Sequence, residues 1–539
     1  MPTQPGSERS IRILPLALLF LAALLASLGE AYFIRQPGVM DACYYYGGGL
    51  NLVGGLGWNE SFLWNYLDES AALPHPGNMY WMPLPSLLAA AGMALAGAGF
   101  RQAQILLIVL ATGFPFLVYW MGIRITGSFR LAILAGFFSI ASGFFTVYWL
   151  NTESFLAYAW LGGLILFLLP QLSREFRWIH ALLIGVLCGL AHLTRADGIL
   201  FLALAGILLL AGSSIKATDR LRRLMALGAG YLFTTGIWYA RNLSIWRSPF
   251  PPGAEKASWL TEYNDLFLFP SSSITMERFF NVGLASILSA RWDAFKTNLI
   301  TTLFVLGFVF LIPVIGRGIY LLRREAVIRT ALLYFLLIFS LMTIVYPFQG
   351  SRGGFLHSAS ALLCFVSIAA SAGLDDIITR LSRWRNWQPE SARTVLGAGF
   401  AGLALFASGA IFINRVIGPN PANPSWSRLN GEYERGITQL GPGLPESTRF
   451  MVNNSPCFYV RTGFTAVPVT AGGPAMLLEA ADRYDVHYVI LDSNVPDGLQ
   501  ALYLGQSSHP RLKKIFSEEY EGMLYIWYEV LPPDPEGGP

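Results

Sequence analysis

Asp41 follows the first apolar run of the sequence closely, in RQPGVMDACYYYGGGLNLVGGLGW. A carboxylate just outside a membrane, followed by tyrosines and glycines, could act as a base where a lipid-borne substrate presents its headgroup. The bland alternative is a loop Asp beside an interfacial aromatic belt. Glu153, in WLNTESF, stands at a helix start. It is either a second carboxylate facing the same cavity or a charge that stabilises a helix N-terminus behind an Asn or Thr cap. Arg195 and Asp197 interrupt one long apolar stretch in AHLTRADGIL. Ionisable groups near membrane depth are costly and are usually paired or functional. As a purely structural pair, Asp197 would cap the next helix and Arg195 would snorkel to the interface.

Arg352 lies in YPFQGSRGGFLHSAS among Gly350, Gly353 and Gly354. Glycines let a backbone approach a ligand closely, and an Arg among them suits a phosphate; otherwise it anchors to headgroups. His357, one turn into the next helix, faces the same place. His75, Tyr80 and Trp81 occur in LPHPGNMYWMPLPSLLAA, ahead of a short apolar segment. There His75 is a candidate for binding substrate or a metal, against a structural His bonded to a nearby carbonyl. Arg241-Asn242 and the following SPFPPG read as a rigid, Pro-rich exit from a helix.

The elements that must position these residues are set by composition. Of 539 residues, 54% are hydrophobic and only 13% charged, with a mean hydropathy of +0.48. Soluble domains carry about 25% charged residues, so the chain belongs with helical membrane proteins. No strand-type alternation runs through the apolar stretches, which excludes a β-barrel. A net charge of +4 gives no reason to expect nucleic acid as a partner. The run Ile11–Leu28 behind Arg9 and Arg12 has features of a secretory signal, but the many later spans favour a retained first helix.

Apolar segments fall near 13–33, 83–99, 103–123, 131–149, 154–170, 179–194, 198–212, 224–240, 299–320, 327–347, 354–373 and 394–414. Five connectors are rich in cations: Arg124 with Arg130; Arg174 with Arg177; Lys216, Arg220, Arg222 and Arg223; Arg317, Arg323 and Arg324; and Arg380, Arg383 and Arg385. The positive-inside rule puts all five in the cytoplasm only if the short 83–99 segment dips in without crossing. That leaves about eleven spans, a cytoplasmic N-terminus and an extracytoplasmic C-terminal part. The external face then receives 34–82, the tips 148–154, 192–198 and 346–354, the loop 241–298, and everything after about 415. Within the first loop, NESFLWNYLDES (59–70) places Phe62, Leu63, Tyr66 and Leu67 on one helical face, which predicts a helix in the headgroup plane.

The three parts expected are a membrane domain (1–415), a polar Pro-rich linker (416–436) and a soluble α/β domain (437–539). The last rests on the β-rich runs RFMVNN, FTAVPVT, VHYVILD and MLYIWYEV, with a helical AMLLEAADRY between the second and third. Cys43, Cys188, Cys364 and Cys457 show no CxxC or zinc spacing and predict neither a metal site nor a disulfide framework.

These segments, in this order, resemble the GT-C superfamily of glycosyltransferases, in the branch of the protein O-mannosyltransferases and the bacterial aminoarabinose transferase. The matching features are Asp41 after the first span, the His75-to-Pro85 element and Thr152-Glu153 before a span. They continue with Thr194-Arg195-Ala196-Asp197-Gly198, the Arg241-Asn242 loop with its Ser-Pro-x-Pro-Pro-Gly, and Arg352 before a late span. One departure is that many members carry an acidic pair where this chain reads Asp41-Ala42. The resemblance implies transfer of a sugar from a polyprenyl-phosphate donor, with inversion, to a protein, lipid or glycan acceptor. Asp41 would be the base, Glu153 a second catalytic carboxylate, and Arg352 or Arg195 the phosphate clamp. His75, Tyr80, Asp197 and His357 would bind substrate, and a divalent metal is an open possibility. A lipid or sugar transporter, or a non-catalytic envelope-assembly protein, is the competing expectation.

Overall fold

A computed structural model describes residues 5–174, 178–211 and 215–533, with the side chains of 5–12, 173 and 174 left out. Arg9, Arg12, Arg174 and Arg177 of the sequence reading therefore lie outside the described side chains. The chain opens with helix α1 (Pro5–Phe33). A short extended link leads to α2 (Met40–Val53), which carries Asp41 in its first turn. Among the described residues six helices are long and apolar enough to cross a membrane, or seven if the bent pair Leu284–Leu306 and Val309–Leu322 is one span. Exposed Leu14, Leu25, Leu336 and Phe406 on these helices suit an apolar solvent. The protein is thus a multi-pass helical membrane protein.

Length and composition alone do not reproduce a count of eleven, because several apolar stretches are broken. The segment 131–149 forms a helix only over Phe129–Ile140, followed by a 3-10 turn, Gly143–Val147. The segment 299–320 bends by 80°, and Phe308 and Val309 at the break have φ of 45° and 46°. Sequence 241–298 is not one loop: the preceding helix runs to Trp246 and another occupies Leu284–Thr301. Helix α3 (Leu84–Ala96) has 13 residues, about 20 Å at 1.5 Å per residue, too short for a hydrocarbon core of about 30 Å. It packs instead against α2, whose glycines make the close approach possible. A Cβ on Gly48 would meet Ser86 Oγ at 2.8 Å, and one on Gly49 would meet Ala89 Cβ at 3.1 Å.

The first loop corrects a second expectation. Residues 59–70 form no helix; β1 (Asn59–Glu60) pairs with β2 (His75–Pro76), and turns follow. All four of Phe62, Leu63, Tyr66 and Leu67 are buried, the first three against the C-terminal part of the chain and Leu67 in a cluster with Leu260 and Leu266. Leu63 N donates to Ala466 O at 2.9 Å, and Tyr66 OH donates to Pro468 O at 2.5 Å. Their apolar surface found protein to cover it in preference to headgroups. Tyr44 and Tyr45 are likewise buried in an aromatic cluster with Phe62, Trp64 and Leu67, so they form no interfacial belt.

That C-terminal part holds a five-stranded sheet: β3 (Arg449–Val452), β4 (Thr465–Pro468), β5 (Tyr488–Leu491), β6 (Leu512–Tyr520) and β7 (Met523–Val530), in the order β4-β3-β5-β7-β6. The three parallel strands are flanked by helices Ser455–Thr462 and Pro474–Tyr484, and β6–β7 is an antiparallel hairpin. Its α/β character follows the sequence expectation, while β6 (LKKIFSEEY), which is charged and mostly exposed, did not stand out. The expectation of no disulfide is overturned: Cys43 on α2 is bonded to Cys457 on helix Ser455–Thr462 across 414 residues. Spacing carries no signal for a pair so distant in sequence. Cys188 and Cys364 are free and buried.

Candidate active site

The turn 148–154 and the helix Phe155–Leu168 present Glu153 to the first turn of α2. Thr152 Oγ1 donates to Ala42 O at 2.8 Å, and Asn151 Nδ2 donates to Pro37 O at 2.8 Å. These two bonds lock the Glu153 turn to the backbone on either side of Asp41. Glu153 is not a helix cap. Ser154 occupies that position without a side-chain cap bond, and the buried Glu153 Oε2 has no hydrogen-bond partner.

His357 closes the group. Its Nε2 lies 3.6 Å from Asp41 Oδ2 and 3.7 Å from Glu153 Oε2. Its Nδ1 is 3.0 Å from Ser154 Oγ, and its ring stacks on Phe155 at 3.7 Å and 15°. Orientation by a second hydrogen bond and a stacked ring is what a ligating or proton-handling imidazole requires. Ser154 and Phe155 were not singled out from the sequence; their adjacency to Glu153 was the available signal.

Withdrawal from water pushes the Asp41 carboxyl up to about 6, against the opposing pull of Arg195. Burial, with Asp41 adding to it, holds Glu153 well above the ordinary carboxylate range, again opposed by Arg195. Two carboxylates this close resist being ionised together, so the site holds a proton or calls for a cation. The donor set fits a divalent cation. The possible ligand atoms of Asp41, Glu153 and His357 all lie within 4.8 Å of one another, and Glu153 Oε2 is unpartnered. Oxygen and imidazole donors of this kind suit Mn²⁺, Mg²⁺ or Zn²⁺.

Arg195 is half-buried and does not snorkel. Its Nε is 3.0 Å from Asp197 Oδ1, it donates to Gly354 O at 3.4 Å, and it lies 5.8 Å from the Tyr158 ring. Asp197 in turn accepts from Ser358 Oγ. The Thr-Arg-x-Asp-Gly and Gly/Arg elements are therefore bonded to each other. Arg352 stands on the exposed side, 4.9 Å over the Tyr263 ring. Among the described residues no carboxylate pairs with it. Gly353 beside it has φ +114°, a conformation that favours glycine.

Tyr263 links the two halves. Burial pushes its phenol up to about 12, with Asp41 adding and Arg352 opposing. Half-buried Tyr80 feels Tyr263, Asp41 and Arg195 and bonds to Gln349. Tyr45 feels Arg195, Asp41, Glu153 and Asp197 together. Tyr45 belongs to the tyrosine run noted after Asp41, whereas Tyr263 and Gln349 were not singled out from the sequence. His75 stands apart from this group: its ring nitrogens face Phe62 O at 2.8 Å and Pro76 O at 2.9 Å, 3.8 Å from buried Glu60. Arg241 fastens the same loop, donating to Gly77 O at 2.8 Å and Trp58 O at 3.3 Å.

No protein-family model matches the sequence, and no curated protein does. The fold, however, is shared with solved structures. ArnT from Cupriavidus metallidurans in the apo state aligns over 98% of this chain and 100% of its own, with a TM-score of 0.57 at 11% identity. ArnT from the same organism bound to undecaprenyl phosphate aligns over 96% and 99%, with a TM-score of 0.53 at 14% identity. The apo oligosaccharyltransferase of Archaeoglobus fulgidus aligns over 94% of this chain and 80% of its own, with a TM-score of 0.52 at 12% identity. The chain thus has the fold that the GT-C resemblance implied.

Proposed function

We propose that the protein is a membrane glycosyltransferase that moves a sugar from a polyprenyl-phosphate donor to an acceptor on the extracytoplasmic face. The observation that carries this reading is the convergence of Asp41, Glu153 and His357 beside Arg195, with Arg352 reaching Tyr263 next to them. One solved structure of the same fold is bound to undecaprenyl phosphate, a ligand of the donor's class.

The sidedness rests on charge and redox chemistry. At the opposite end Arg130 meets Asp375 at 2.5 Å and Arg317 meets Asp376 at 2.7 Å, so cation-rich connectors gather there, as cytoplasmic ends do. A disulfide at the Asp41 end suits an oxidising compartment. The arrangement of about eleven spans with a cytoplasmic N-terminus accords with both, α3 dipping in without crossing.

In the reaction, the acceptor's nucleophilic atom attacks the anomeric carbon as the carbon–oxygen bond to phosphate breaks. A single displacement inverts that centre. Asp41 takes the acceptor's proton, and its raised affinity for protons suits a general base. Phosphate is a good leaving group, so the pair of flanking acids used by hydrolases is unnecessary. Arg352, lacking a carboxylate partner among the described residues, meets the departing phosphate. Arg195, already held by Asp197, supplies a fixed positive field. A divalent cation, when bound by Asp41, Glu153 and His357, would polarise the acceptor. Half-buried Tyr80 and Tyr263 lie within electrostatic reach of Asp41, and Tyr263 of Arg352 as well. The test is sugar transfer from a labelled polyprenyl-phosphate sugar by purified protein in liposomes. Lipid movement without any transfer would favour a transporter and sink this reading.

A further inference from the structure

The chain on both sides of Asp41 is gripped from two directions. The Asn151–Glu153 turn holds it from the membrane domain. From the C-terminal part, Trp426 Nε1 lies 3.1 Å from Gln36 O and from Pro37 O, and Asn430 Nδ2 donates to Gly38 O at 2.7 Å. Tyr459 OH reaches Asn51 Oδ1 at 2.7 Å at the far end of α2. Val39 gives α2 no side-chain cap bond. Among these contacts one is covalent: Cys43, two residues beyond Asp41, is bonded to Cys457 with the Cα atoms 5.0 Å apart. Both cysteines are buried, so the bond forms as the chain folds and is not a surface switch. It closes when the two thiols give up their protons and an electron pair to a disulfide-bearing oxidant, which leaves as a dithiol.

From this juxtaposition we propose that the Cys43–Cys457 bond is a positioning element of the catalytic centre, by which the C-terminal domain holds the first turn of α2 and thereby Asp41 against His357. It rests on the transferase reading for its kinetic consequence, but not for its structural one. Hydrogen bonds, even buried ones, open and close, whereas a covalent tie keeps its partners at high effective concentration throughout. Because a displacement of about 1 Å at a reacting group can cost about 100-fold in rate, the tie matters to turnover more than to binding of the lipid donor.

The test uses full-length protein carrying Cys43→Ala and Cys457→Ala together, with kcat, donor KM and amide hydrogen exchange measured. Expected are a fall in kcat of roughly 10–100-fold, a donor KM within about twofold of the parent, and faster exchange across 40–53. Protection of the 449–530 sheet should persist. Parent-like kcat and parent-like exchange in 40–53, with the sheet still protected, would overturn the proposal. Should the paired variant not fold, the parent protein treated with a phosphine gives the same comparison. The phosphine takes oxygen from water to become its oxide, leaving two thiols that alkylation counts. Unchanged exchange in 40–53 with both thiols alkylated also overturns it. If the parent shows no sugar transfer at all, the transferase reading fails while the exchange measurement still decides the tie.

Discussion

His357 Nε2 lies 3.6 Å from Asp41 Oδ2, too long for a hydrogen bond and close enough for both atoms to reach one cation. The pair joins the first turn of α2 to the helix that follows Gly354, with Glu153 as the third member. Removing the carboxylate charge while keeping its shape is the direct probe. Asp41→Asn is expected to lower kcat by about 10²–10⁴-fold with the fold intact. Near-normal turnover by that variant would remove Asp41 from the role of base.

The same triad predicts metal binding measurable without turnover. Mn²⁺ titrated into the purified full-length protein should be followed by electron paramagnetic resonance. A saturable site should appear, weakened about 10–100-fold or more by Glu153→Gln, since that change removes an anionic ligand. Equal Mn²⁺ uptake by parent and variant would show that the three side chains do not form the site. Chelation of the parent should lower activity only if the first result is positive.

Legibility from sequence divided along a physical line. Residues that were costly where they stood, such as Arg195 and Asp197 inside an apolar run, announced themselves. Asp41, Glu153 and His357 each stood near an apolar boundary, and the structure brings them together. His75 announced itself equally but is bonded to loop carbonyls, because a Pro-rich segment offers unpaired acceptors that a ring can satisfy. What stayed hidden depended on pairing at long range. The Cys43–Cys457 bond, and the burial of Phe62 and Tyr66 under the sheet, follow from how the chain's two ends meet, which local periodicity does not encode. The 80° bend at Gly307–Phe308 was hidden for a different reason: the flanking residues are uniformly apolar, so hydropathy runs straight through it.

Arg352 and Arg195 should behave differently when truncated. Arg352 is exposed and, among the described residues, stacks on Tyr263, so under the proposed reaction it would be free to follow a donor phosphate. Arg352→Ala is therefore expected to cost about 10²–10³-fold in kcat/KM for the lipid donor. Arg352→Lys should recover only part, since a point charge replaces a planar fork. Arg195→Ala strands the buried Asp197 as well, so it should also lower the thermal midpoint, whereas Arg352→Ala should leave it within about 1–2 °C. A loss of stability on Arg352→Ala matching that of Arg195→Ala would contradict this division of labour.

Glu60 gives a pH-dependent stability that has nothing to do with catalysis. It is 2% exposed, and burial pushes its carboxyl up to about 7, opposed by the Asn78 amide, Tyr44 and Arg241. The folded affinity for the proton is thus above the unfolded one. The stabilising effect of the neutral form is complete below about 4.5 and is lost as pH rises through about 7. A shift of this size corresponds to roughly 3 kcal/mol. His75, 3.8 Å away, acts in the opposite direction: burial lowers its affinity for protons, so its share is present above about 6.5 and lost on acidification. Comparing parent with Glu60→Gln isolates the carboxyl, because His75 is common to both. Thermal unfolding in detergent between pH 5 and pH 8 should show the parent losing stability relative to the variant as pH rises. Parallel curves across that range would mean that Glu60 is already ionised in the fold, paired with Arg241 or His75.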